Sequence, residues 1–189
     1  MFRANGFIVQ DEKYPYDHAG KFSYRGLCSY DLFPLMHIND PVCRKLTDEQ
    51  FSREVAENEF VIPEFVSDYG LLKRYVMECV KREIGVRILF AESEYSEETY
   101  NGDLPVKEFL GYEYCPVPID CQIITDLDLY EPFWKYHRLL NRSGLFDSYE
   151  EVISFAEEYC SEFDKGNIGD GEIDAYIFKV YEIDVKNIL

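Results

Sequence analysis

Few side chains in this chain have the means to do chemistry, and they stand far apart. Asp126 and Asp128 are two residues apart, so on a strand both carboxylates share one face with Ile124. Set in a cleft, such a pair acts as general acid and base or holds a metal. No third acid or His stands at a telling spacing, and the expectation is an exposed acidic edge or a helix-entry segment. Cys28 or Cys43 with His37 makes a nucleophile and base only if the fold brings them together. Among the six Cys (28, 43, 79, 115, 121 and 160) there is no Cys-x-x-Cys pair, and Cys115 and Cys121 have five residues between them. Structural zinc sites use closer pairs, and the three His stand alone, so no metal is expected. Cys79 and Cys160 fall on apolar helix faces, where a thiol behaves as a small hydrophobe. His137, beside Trp134 and Tyr136, reads as structural, and His18 in its loop has nothing but its residue type to single it out.

Phosphate and calcium chemistry find no better footing. No G-x-G-x-x-G or P-loop spacing occurs. The Asp- and Gly-rich stretch 164–174 fails as a calcium loop, because Gly166, Ile168 and Ala175 occupy its third, fifth and twelfth positions. The expectation is a chain that is not an enzyme, with no catalytic residue and no cofactor. The alternative enzyme reading, a small intracellular hydrolase or transferase, rests on Asp126 with Asp128 or on a Cys with a His. A third reading is a structural or regulatory subunit.

The elements that must position these residues are legible in part. A chain of 189 residues suits a single domain, 1–189, able to bury roughly 70% of the surface it exposes when unfolded. Hydrophobic residues make up 47% and aromatics 16%, which argues against disorder. Strands are expected at 6–10, 59–66, 86–90, 106–115 and 175–183. Thr47-Asp48-Glu49-Gln50 and Ser148-Tyr149-Glu150-Glu151 fit capping boxes that open helices. Ser67 is placed to cap a helix with Leu71, Leu72, Tyr75, Val76, Cys79, Val80 and Ile84 on its buried face and Gly85 at its end. Pro132 starts a further helix that Gly144 ends. The strand, helix, strand order around 59–90 implies a parallel pair if the two strands are adjacent. The fold class expected is α+β, with one mixed, largely antiparallel sheet and about four helices.

Charge narrows the function. With 37 acidic and 19 basic side chains the net charge is −18, so nucleic acid and anionic membranes are repelled and a basic partner is preferred. No apolar segment reaches the ~20 residues of a membrane span. The opening Met1-Phe2-Arg3-Ala4-Asn5 lacks the apolar run of a signal peptide, so a cytoplasmic location with reduced thiols is expected. The acids are concentrated: residues 92–131 hold eleven Asp and Glu, and Lys107 is the one Lys or Arg among them. Tyrosines and Trp134 are interleaved there, and carboxylates beside large aromatics can steer and then anchor a basic protein. The expected partner-binding residues are Glu94, Tyr95, Glu97, Glu98, Tyr100, Asp103, Asp126, Asp128, Glu131 and Trp134. Lys73, Arg74, Lys81 and Arg82 fall on the outer face of the long helix, as solvating charges.

Two motifs extend the reading. Phe109-Leu110-Gly111-Tyr112-Glu113-Tyr114, followed by Leu139-Leu140-Asn141-Arg142-Ser143-Gly144-Leu145-Phe146 and a capped helix, resembles the small bacterial immunity proteins of polymorphic toxin systems over residues 105–183. That resemblance implies an acidic cytoplasmic inhibitor binding a cognate toxin domain, often a nuclease. It carries no toxin-contacting residue across, since no functional motif matches.

Overall fold

Strands with apolar side chains buried on both faces build the sheet. In the computed structural model, which describes residues 2–11, 68–94, 100, 107–115, 127, 130–169 and 176–189, the strands are β1 (Arg3–Asp11), β2 (Val86–Ser93), β3 (Lys107–Cys115) and β4 (Tyr176–Ile183). Their order is β1-β2-β4-β3, and every neighbouring pair is antiparallel. The chain is α+β. The mixed sheet expected from sequence is corrected for the described residues: β2, which follows the helix Tyr69–Lys81, lies between β1 and β4 and runs against both. The strand expected at 59–66 and the helix expected after Thr47 lie outside the described residues.

Three helices of more than one turn are described, against the four expected: α1 (Tyr69–Lys81), a 3-10 helix (Glu131–Leu139) and α2 (Tyr149–Asp164), with a single 3-10 turn at Val185–Asn187. Phe7, Val9, Ile88, Phe90 and Ile183 face α1, whose Leu71, Leu72, Tyr75, Val76 and Cys79 are buried on them. Tyr114 and Ile177, paired across β3 and β4 and on the same face, meet Val152, Phe155 and Ala156 of α2. Both helices therefore lie on one side of the sheet, α1 over β1 and β2, α2 over β3 and β4. Ile8, Leu89, Ala91, Phe178 and Val180 point to the other side with Leu145.

The ends of α1 depart from expectation. Asp68 is its N-cap, accepting from the Leu71 amide at 2.9 Å, and a carboxylate there also meets the positive end of the helix dipole. The left-handed residue after the helix is Glu83 (φ 59°), not Gly85. The Glu83 amide donates to the Val80 carbonyl and the Ile84 amide to that of Cys79, so a complete Schellman turn is built without the glycine it favours. Val80 is 46% exposed, because it sits about 110° around the helix from the centre of the buried stripe.

The helix after Pro132 is 3-10, and its three-residue period sets Phe133, Tyr136 and Leu139 on one side. It ends at Leu140 in extended backbone, well before Gly144. Residues 140–146 instead fold against the edge of β3. Tyr112 and Phe146 exchange both backbone hydrogen bonds at 2.8 and 3.0 Å, and Asn141 Nδ2 donates to the Leu110 carbonyl at 2.8 Å. The Asn141 Oδ1 accepts from the Ser143 and Leu145 amides. Gly111 (φ +149°) makes the contact possible: a Cβ there would stand 2.7 Å from both the Leu145 Cβ and the Phe146 oxygen. The register of β3 against β4 shifts between Phe109 and Gly111, a bulge at the point where the segment docks. Ser148 then opens α2 with the expected capping box, both hydrogen bonds present.

Candidate binding surface

α2 presents three kinds of side chain in turn around its circumference. Val152, Phe155 and Ala156 point to the sheet. Glu158 and Glu162 flank them on the side of the 3-10 helix and tie the two helices together. Lys135 Nζ donates to both Glu158 carboxylate oxygens at 2.7 and 2.6 Å, and the Tyr136 hydroxyl donates to one of them at 2.6 Å. Glu162 accepts from the Tyr130 hydroxyl (2.8 Å), Lys165 (2.6 Å) and Asn167 (2.7 Å). On the outer side, Glu150, Ser154, Glu157, Ser161 and Asp164 recur at spacings of three and four, and only Ser161 is less than exposed.

These contacts fix protonation. Hydrogen bonds from Lys165, Asn167 and Tyr130 hold the Glu162 carboxyl down at about 2. Burial works to raise the Glu158 carboxyl, but the donors Lys135 and Tyr136 outweigh it and the group is lowered. Tyr136 is pushed up to about 12 by burial and by its bond to Glu158, and Tyr130 is raised chiefly by its bond to Glu162. Both acids are charged and both phenols neutral throughout the physiological range.

Of the ten residues expected to bind a partner, four are described. Glu131 is exposed at the start of the 3-10 helix, and Trp134, 37% exposed, lies one turn further on. Glu94 is exposed at the end of β2 and accepts from the Tyr149 hydroxyl at 2.8 Å, which raises that phenol's pKa. Tyr100 is corrected: it is 5% exposed, stands edge-on to Phe7 and Phe90 in the α1 core, and its amide donates to the Ala4 carbonyl. A tyrosine in an acidic loop reads as surface, and only the packing shows the ring turned inward. Tyr95, Glu97, Glu98, Asp103, Asp126 and Asp128 lie outside the described residues.

α2 is what joins the described members. Glu94 meets its first turn through Tyr149, and the 3-10 helix carrying Glu131 and Trp134 is bonded to Glu158 and Glu162. The residues that sequence reasoning missed are the outer acids of α2 itself, Glu150, Glu157 and Asp164. Their seven-residue spacing was the available signal, but it lay beyond the window in which the acids are densest. Lys107, the lone base of that window, is taken up internally by Glu92 while its ammonium sits 3.8 Å above the Tyr181 ring. Glu92 also accepts from the Tyr181 hydroxyl, and burial with this bond raises that phenol's pKa.

Between α1 and α2 a run of rings crosses the sheet face, Phe90 to Tyr181 to Phe109 to Tyr112, ending at Phe2 and Tyr149. Among the described residues no group of three or more His, Cys, Asp or Glu is placed to hold a metal, and no helix is long and apolar enough to cross a membrane. No family model, curated protein or solved structure matches the chain.

Proposed function

We propose that the protein is a non-enzymatic acidic binding module, an immunity-type inhibitor that neutralises a basic toxin domain such as a nuclease. The outer face of α2 with the start of the 3-10 helix is the docking surface. The observation that carries this reading is a division of labour among charges. Lys135 and Lys165, the lysines that enter this face, are spent on Glu158 and Glu162, while Glu131, Glu150, Glu157 and Asp164 form no ion pair with any described residue. The outward field is therefore that of the unpaired acids, with Trp134 beside them as an aromatic anchor. The resemblance noted above rests on two motifs that clamp one another at Gly111 and Asn141, so it speaks to architecture and not to contact residues.

The test is affinity capture with the full chain from cells expressing its genomic neighbours, at low and at high salt, followed by mass spectrometry. A basic protein retained at low salt, released by high salt, and captured poorly by the Glu131→Lys/Glu157→Lys variant is the expected result. Any nuclease activity of the captured protein is then titrated with the wild-type chain. Retention indifferent to salt and to charge reversal would sink the proposal.

A further inference from the structure

Among the described residues a lysine is twice held by the same device, a carboxylate and an aromatic ring that are bonded to each other. Lys107 is paired with Glu92, and its ammonium lies 3.8 Å from the centre of the Tyr181 ring, whose hydroxyl donates to Glu92. Lys135 is paired with Glu158 and lies 5.1 Å from the centre of the Tyr136 ring, whose hydroxyl donates to Glu158. The carboxylate supplies the charge, and the ring face adds the attraction of its quadrupole for a cation. Glu131 and Trp134 bring the same two kinds of group together at the surface. In a helix of three residues per turn, positions three apart eclipse, so the two share one side, about 6 Å apart along the axis. Both are exposed, and Glu131 forms no ion pair with any described residue. His137, next on that side, is 5% exposed, so the side is open at its start and closed one turn later. Lys135, the neighbouring cation, is turned to Glu158 and leaves this side to a cation from outside.

We propose that Glu131 and Trp134 seat one arginine of a basic protein partner, its guanidinium stacked on the indole while its N–H groups donate to the carboxylate. This names the side chain by which the acidic binding module takes its partner, and it rests on that reading. Arginine fits the site better than lysine. At an exposed position an ammonium keeps its strong hydration, whereas the planar guanidinium is more weakly hydrated, stacks on an aromatic face, and has N–H groups left at its edge for a carboxylate. Indole is also the best of the aromatic faces for a cation. The net charge of −18 draws a basic protein in, and the carboxylate with the indole then selects which of its cations docks here.

Trp134 is the single tryptophan of the chain, so its emission reports this site alone. The full-length protein is titrated at about 0.15 M salt with hexaarginine and with hexalysine, which carry equal charge. Anisotropy of a dye on the peptide reads binding anywhere on the acidic surface, and tryptophan emission reads binding at Trp134. Hexaarginine is expected to change the emission to saturation, with an affinity about fivefold above that of hexalysine. Glu131→Gln should weaken the binding seen by emission about fivefold. Glu108→Gln, which removes the same charge from an exposed position on β3, should leave it unchanged. Circular dichroism checks that both variants fold. Anisotropy that rises with no change in emission, equal affinities for the two peptides, or equal effects of the two substitutions would each overturn the arginine site and leave the acidic binding module standing. Peptides that bind by neither readout would overturn both.

Discussion

α1 rests on the β1 and β2 half of the sheet through Leu71, Leu72, Tyr75, Val76 and Cys79, whereas α2 rests on the β3 and β4 half through Phe155 and the rings around it. The first contact is mostly aliphatic. The second is aromatic: Phe155 alone touches Tyr114, Phe133, Tyr136, Phe146 and Tyr159. The polar contacts differ as well: α2 is bonded through Glu158 and Glu162 to the 3-10 helix, and on α1 the Tyr69 hydroxyl donates to the Asn187 carbonyl at 3.5 Å. Rings with phenol tips allow one side chain to pack and to bond at once. The α2 half can therefore be mostly core on one side and mostly charge on the other without losing its partner helix.

Truncating the centre of each half breaks the comparison most sharply. Phe155→Ala should cost about 4 kcal/mol and Leu72→Ala about 3 kcal/mol in denaturant unfolding. The larger loss belongs to the ring shared by five neighbours, and equal losses would deny the aromatic half its distinction. Gly111→Ala should cost about 3 kcal/mol, because the new methyl meets the Leu145 Cβ and a backbone oxygen at 2.7 Å in a conformation that disfavours any side chain. Its signature is loss of hydrogen-exchange protection at the Tyr112 and Phe146 amides.

The α1 half is open to improvement. Glu83→Gly should stabilise by about 1 kcal/mol, since it removes the left-handed strain while keeping both Schellman hydrogen bonds. A fall in the unfolding midpoint would show that Glu83 makes a compensating contact.

The smallest effect is local and depends on pH. The folded pKa of Glu162 is depressed, so its contribution is fully present above the ordinary 4.5 and is lost as pH falls towards about 2. Protection of the last turn of α2 should fall across that window, after correction for intrinsic exchange, and Glu162→Gln should abolish the step. The core amides of α1 at Leu72 and Val76 serve as the control.

The capping box at Ser148, the buried stripe of α1 and the buried apolar run of β2 were all readable in the chain, because caps and helical periodicity are set by residues three or four apart and an apolar run by immediate neighbours. Glu83 was not readable, since Gly85 is the better left-handed residue and loses only because the Ile84 amide already closes the turn at Cys79. The 3-10 geometry of Glu131–Leu139 was hidden for a similar reason, as Pro132 opens either kind of helix.

The acidic surplus of residues 92–131 is a property of the sequence alone, because net charge needs no fold to be counted. Tertiary structure decided which members of that surplus face outward. It turned Tyr100 into the core, spent Lys107 on Glu92, and set Glu131 and Trp134 beside α2, whose own acids lie far along the chain. It also showed why two motifs recur in one chain: Gly111 lacks the Cβ that would keep residues 140–146 off the edge of β3. Composition fixes the sign of a field, but its shape depends on distances between side chains remote in sequence, which packing alone sets.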